Sequence, residues 1–157
     1  MTHPVGFQQL GVREAIADAI HRAVLAFDTN DPELFLSAVV KDKISFSRND
    51  ELYERLDAVM RDVFEHVSRL ETQHAISNIR INVDDGANTA RMVTYMIAQH
   101  HREGEAMDPS KVGLVGGATN FVSLLMDGES GLWKITKWEM NINWIQGNPS
   151  IVGLLGH

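Results

Sequence analysis

Four polar positions sit on otherwise apolar faces of this chain, and together they describe proton-transfer chemistry. Asp28 follows Val24 by four residues and Ile20 by eight, so a helix continued through it directs the carboxylate along the buried face. The alternative is a helix-ending aspartate turned to water, because Thr29-Asn30-Asp31 is a polar turn. His74 shares the alternation of Ile76, so an inward Ile76 implies an inward imidazole. A buried imidazole beside a carboxylate is an acid–base pair, since the carboxylate fixes the ring tautomer and supports the imidazolium form. Without that partner, an inward histidine is a hydrogen-bonded core residue. His100 shares parity with Met92, Met96 and Ala98, and His101 with Val93, Tyr95 and Ile97. Both sets are apolar, so periodicity does not choose between them, and Arg102-Glu103-Gly104-Glu105 leaves exposure at a strand end open for either. Asn120 lies on the parity of Leu114, Ala118, Val122 and Leu124. There it is either an amide that hydrogen-bonds a ligand or a satisfied buried amide.

Other chemistries lack their residues. With no cysteine there is no disulfide framework, thiolate nucleophile or Cys-ligated metal. Adjacent histidines on a strand point to opposite faces, no H-E-x-x-H pattern occurs, and Gly113-Leu114-Val115-Gly116-Gly117 lacks the strand–turn–helix setting of a dinucleotide loop. No Gly-x-Ser-x-Gly elbow is present. The expectation is a site with no cofactor and no metal.

The elements that must position these residues fall into two halves. Ile16, Ile20, Ala23, Val24 and Phe27 recur at helical spacing between Leu10 and Phe27. Asp31-Pro32-Glu33 caps a second, shorter helix that buries Phe35, Leu36 and Val39. Ile44 to Ser47 is a brief extended segment, after which Asn49/Asp50 cap a third helix carrying Leu52, Leu56, Val59, Val63 and Val67. Four long strands come next at about His74–Val83, Thr89–His101, Val112–Met126 and Leu132–Trp144, with turn-like separators that imply antiparallel neighbours. The alternation slips between Ile76 and Ile79, which reads as a bulge, and Gly116-Gly117 in mid-strand favours curvature or close backbone approach. Trp138, Met140, Ile142 and Trp144 share one parity and read as core or pocket wall. The whole is an α+β domain over 1–157, a curved antiparallel sheet wrapped around the long N-terminal helix as a cone with an internal pocket. Its apolar tail, 145–157, should dock over the pocket mouth or against a neighbouring subunit.

Composition limits the partners. The chain has 157 residues, 44% of them hydrophobic, which is enough for one core. Fourteen Lys and Arg against twenty-one Asp and Glu give a net charge of −7 with no basic cluster, so no nucleic-acid surface is expected. No apolar run approaches the roughly 18 residues that span a bilayer, and the N-terminus has no targeting pattern, so the protein reads as soluble and cytoplasmic.

Short segments at matching order and spacing carry a resemblance. They are Phe27-Asp28-Thr29-Asn30-Asp31, Thr72-Gln73-His74, His100-His101-Arg102, Ala118-Thr119-Asn120 and Gly131-Leu132-Trp133-Lys134-Ile135. From about Leu10 to Trp144 the chain resembles the scytalone dehydratase and SnoaL-like family of polyketide cyclases, dehydratases and isomerases, which has a nuclear-transport-factor-2-like cone fold. The resemblance implies that Asp28 orients His74, that His74 shuttles the proton, that His100 is a second acid or leaving-group contact, and that Asn120 binds substrate. It departs at Phe27 and Phe46, where the family's dehydratase has tyrosines, and at Ala118, where it has a serine. Tyr53 and Tyr95 are the only phenols, and neither falls at a matching position. Phe27, Phe46, Tyr95, Trp138 and Met140 are the expected substrate-contacting residues.

The function so implied is a cofactor-independent lyase or isomerase acting on a hydrophobic polyketide- or terpenoid-like carbonyl compound in secondary-metabolite biosynthesis, assembled as a dimer or trimer. The rivals are a non-catalytic binding or assembly module of the same fold, and a pocket that templates a pericyclic cyclisation.

Overall fold

The protein is described by a computed structural model covering residues 3–153. Helix α1 (Val12–Thr29) begins where the Gly11 amide donates to Glu14 Oε2 at 3.1 Å and ends at Asn30, whose φ of 50° turns the chain. Its buried face carries Ile16, Ile20, Ala23, Val24 and Phe27, as the spacing requires. Asp31 accepts from the Leu34 amide at 3.1 Å and so caps α2 (Pro32–Ala38). This helix buries Leu34, Phe35 and Ala38, while Leu36, expected inside, is only half-buried.

The next segment differs from expectation. Asn49 and Asp50 do not cap a helix; they turn a hairpin between β1 (Ser45–Arg48) and β2 (Glu51–Glu54). Asn49 takes a left-handed φ of 51°, its amide donates to the Met140 carbonyl at 2.9 Å, and its side chain accepts from the Ile142 amide at 2.8 Å. These bonds to a neighbouring strand outweigh the capping role. Leu52 is consequently 59% exposed on β2. The third helix, α3, starts only after Arg55 and runs through Leu56–Ala58, a π-helical stretch Val59–Phe64 and Glu65–Ser68, burying Val59, Val63 and Phe64.

Strands β3 (Glu71–Asn82), β4 (Thr89–His101), β5 (Leu114–Met126) and β6 (Trp133–Gly147) complete a six-stranded sheet in the order β2-β1-β6-β5-β4-β3. It is mixed rather than wholly antiparallel, because β1 pairs β6 in parallel. Everything from β2 to β5 intervenes between them, ample for the long crossover that a parallel pair needs. The curved sheet stays open, and α1 packs against α2, β3 and β6.

Backbone irregularities set the curvature. The register shifts between Ser77 and Arg80, with Asn78 at a φ of 53°, where the alternation slips in the sequence. Opposite β5, Thr136 and Asn143 are the extra residues of two shifts in β6. The second shift reverses the facing of the residues beyond it: Trp144, expected on the inner wall, is 47% exposed, and its indole lies over Gly117. A Cβ on Gly117 would stand 2.2 Å from Trp144 Nε1, so any other residue there displaces the indole. Strand β6 continues to Gly147, and the tail therefore begins at Asn148 rather than at 145. Ile151 and Val152 are buried against Leu114 and Leu70; Leu154 and Leu155 lie outside the described residues. No described helix is long and apolar enough to cross a membrane.

One buried cation joins three elements. Arg22 on α1 is 3% exposed, pairs with Asp18 at 2.8 Å, donates to the Ser37 carbonyl and to Ser37 Oγ after α2's first turns, and reaches the Trp133 carbonyl at 2.7 Å. Removing one partner of such a network strands the others in low dielectric. Arg22→Ala should lower unfolding free energy by roughly 3–5 kcal/mol, read as a shift in the urea midpoint; a loss below about 1 kcal/mol would mean that solvent, not Arg22, satisfies these carbonyls.

Candidate active site

Asp28 occupies the last turn of α1, and the helix does direct its carboxylate inward. Three groups of β3 donate to it. Thr72 Oγ1 reaches Oδ1 at 2.7 Å, the His74 amide reaches Oδ2 at 2.9 Å, and His74 Nδ1 lies 2.6 Å from Oδ1. The side chains are 16% and 5% exposed for Asp28 and His74. A neutral ring whose Nδ1–H donates to the carboxylate would keep its lone pair on Nε2, and His74 lines a cavity.

That cavity lies between the inner face of the sheet, α1 and α3, opens to solvent at its mouth, and has a volume of about 90 Å³. Phe27, Phe46, Trp138 and Met140 line it as expected. Phe27 lies tilted against the His74 ring at 5.6 Å, and Phe46 meets Trp138 edge-on at 5.4 Å. Of the two candidate histidines, His100 enters the cavity, with its ring T-shaped against His74 at 5.4 Å. Burial, then the neighbouring His74, pull its pKa down to about 4, partly opposed by a backbone hydrogen bond with Leu114 and by Asp28. His100 is thus a neutral imidazole near pH 7, with Nδ1 buried and unpartnered among the described residues.

Two expected contacts lie elsewhere. Asn120 is fully buried, but its amide donates to Thr94 Oγ1 at 3.1 Å and accepts from Trp138 Nε1 at 2.9 Å. Both ends are satisfied within the core, so Asn120 holds the Trp138 wall in place instead of lining the cavity. Tyr95 is 52% exposed on the outer face of β4, because its parity is opposite to that of Met96 and Ala98, which face inward.

Phe27, Phe46 and Ala118, where the resemblance leads one to look for hydroxyls, line the cavity without any. Polar groups come instead from the β1–β2 hairpin, part of which the helical periodicity had claimed for a third helix. Arg48 lies two residues beyond Phe46 on β1, and Tyr53 stands opposite Phe46 in the register, its ring 6.3 Å away. Burial and the Glu51 side chain push the Tyr53 phenol up, so it stays protonated. The alternation Phe46-x-Arg48 is the available clue, and it requires extending the strand by one residue.

A curved sheet wrapped on a long helix, with a His–Asp pair at the wall of an apolar cavity between them, is a fold of the nuclear-transport-factor-2-like type. The chain belongs to the SnoaL-like domain family, whose match spans residues 8–139. It is 35% identical over 144 residues to terrestric acid biosynthesis cluster protein E of Penicillium crustosum, covering 92% of this chain and 91% of that one. Among solved structures, a provisionally assigned scytalone dehydratase from Novosphingobium aromaticivorans superposes with a TM-score of 0.71 at 20% identity, covering 85% of each chain. The hexachlorocyclohexane dehydrochlorinase LinA-type3 from Novosphingobium barchaimii gives 0.67 at 15% identity, over 87% of this chain and 90% of that one. At these identities the structures share the fold.

The lowered His100 pKa has a stability consequence. Folding favours the neutral ring, so between the ordinary value of 6.5 and about 4 the unfolded chain binds the proton first. Stability owed to this residue is intact above that window and falls as the pH drops through it. Urea midpoints measured from pH 7 to 4 should decline less steeply in His100→Asn than in the parent; parallel slopes would show that His100 is not the buried neutral group.

Proposed function

We propose that the protein is a cytoplasmic, cofactor-independent lyase or isomerase, a dehydratase or cyclase in outcome, that uses His74 and Asp28 on a hydrophobic polyketide- or terpenoid-like carbonyl compound in secondary-metabolite biosynthesis. The observation that carries this reading is the 2.6 Å His74 Nδ1–Asp28 Oδ1 contact at the wall of an apolar cavity. The family, and a relative whose name places it in a terrestric acid biosynthesis cluster, support the pathway class.

In this reading His74 Nε2 takes a C–H proton adjacent to a carbonyl, and Asp28 holds the ring in the accepting tautomer. The electron pair passes into the enolate. Return of the proton to a departing hydroxyl gives dehydration, return to another carbon gives isomerisation, and attack by the enolate carbon gives cyclisation. His100, neutral and 5.4 Å from His74 between ring centres, is positioned to hydrogen-bond the departing oxygen.

Self-association as a dimer or trimer belongs to the same reading. Tyr95, Ile97, Phe121 and Trp144 form an exposed apolar band on the outer sheet face, away from the cavity. A Tyr95→Glu, Ile97→Glu variant should sediment as a smaller species than the parent, and a parent that is monomeric at high micromolar concentration would remove this part.

Mass spectrometry of a strain lacking the gene identifies the substrate as the intermediate that accumulates. With it, His74→Ala and Asp28→Asn should each lower kcat by about 10²–10⁴-fold while leaving thermal unfolding near that of the parent. Undiminished turnover by His74→Ala would overturn the mechanism.

A further inference from the structure

Proton abstraction beside a carbonyl leaves charge on oxygen, and the His74 side of the cavity holds no fixed cation to meet it. Arg48 is the one Lys or Arg among the described residues lining the cavity. Its side chain is 17% exposed. Nη2 donates to Glu51 Oε2 at 2.7 Å and Nη1 reaches the Val152 carbonyl at 3.4 Å, whereas Nε is buried with no acceptor among the described residues. A buried guanidinium N–H without an acceptor is costly, so an oxygen belonging to whatever fills the cavity is the natural partner. The Glu51 charge does not cancel the site: its carboxylate is 36% exposed, hence screened, and also accepts from the Tyr53 hydroxyl at 2.9 Å. Asp62, at the cavity edge, is engaged by Arg61 at 2.7 Å, and His66 there is exposed. The strand order supplies the geometry. Arg48 is on β1 and His74 on β3, with β6, β5 and β4 between them, so the two enter one cavity from opposite flanks of a curved sheet.

We propose that Arg48 is the oxyanion-binding residue of this site, its Nε–H holding the substrate's carbonyl oxygen and the enolate that forms from it; the ligand class is an enolisable carbonyl compound bound through an oxygen that becomes anionic. This rests on the acid–base reading of His74 and Asp28. The C–H proton passes to His74 Nε2, the C–H electron pair becomes the new C=C bond, and the carbonyl π pair moves to oxygen. Arg48 keeps its proton throughout and strengthens one hydrogen bond. It thereby replaces the electrophilic hydroxyls that Phe27, Phe46 and Ala118 do not provide.

The test uses 4-nitro-1-naphthol, an enolate mimic whose visible absorbance separates the ionised from the neutral form. Titrated across its pKa with the intact protein, it should bind more tightly ionised, so that bound molecules ionise at lower pH than free ones. Arg48→Met should weaken binding of the ionised form by at least about tenfold and erase the preference, with Arg48→Lys intermediate and His74→Asn retaining the preference. Binding of the neutral form in preference, no binding at millimolar naphthol, or a preference that survives Arg48→Met or vanishes in His74→Asn would overturn the proposal. The parent protein and Arg48→Lys decide the matter if Arg48→Met does not fold. Because the readout is binding rather than turnover, an Arg48 result stands whether or not His74 proves to move a proton.

Discussion

A single carboxylate, Asp28, ties the helical half of the molecule to the sheet. The last turn of a helix is an unfavourable place for an anion, since the unpaired carbonyls there carry the negative end of the helix dipole. Three donors from β3 offset this: one hydroxyl, one backbone amide and one ring nitrogen. Two of the three come from His74 itself, so the backbone of that residue is fixed by the same group that fixes its side chain. The imidazole is therefore held to α1 through both its backbone and its ring. The contact that packs the end of the helix against β3 is thus also the one that orients the imidazole.

The walls nearest that nitrogen are largely apolar. Phe27, adjacent in sequence to Asp28, lies tilted against the His74 ring and gives it an apolar neighbour, while Phe35 and Phe64 pack against Phe27. His100 stays neutral chiefly because burial disfavours its charged form, with the neighbouring His74 acting in the same direction. Asn120 contributes indirectly. By spending both ends of its amide on Thr94 and Trp138, it stops the indole N–H from seeking a partner in the cavity and keeps that wall apolar.

Much of this is legible in the sequence, and the failures have physical causes. The helical period through Ile16 to Phe27, projected one turn further, places Asp28 inward, and the shared parity of His74 with Ile76 places the imidazole. The bulge near Asn78 and the close approach at Gly117 are also visible as breaks in pattern. What fails is whatever depends on partners distant along the chain. Asn49-Asp50 is equally good as a helix cap or a turn, and only the presence of β6 beside β1 selects the turn. Asn120 reads as an inward amide and is one, but sequence carries no information on whether Trp138 reaches it first. Tyr95 and His101 share an apolar parity that proves to be the outer one. Apolar alternation on both faces of β4 leaves the choice to the assembled sheet.

The cavity itself depends on irregular backbone more than on composition. A regular β6 would carry Trp144 onto the same face as Trp138, Met140 and Ile142, and its indole would occupy space beside His100 and Gly117. The extra residue at Asn143 reverses the facing, sends Trp144 outward over Gly117, and turns the smaller Ile145 to the cavity. The same shift bends β6 where the sheet must curl around the buried acid–base pair. Glycines at 116 and 117 make this bend possible from the β5 side, since any side chain at 117 would collide with the displaced indole. One inserted residue and one missing side chain, on two neighbouring strands, thus keep the Trp144 indole on the outer face and leave the cavity wall there to Gly116, Ile142 and Ile145.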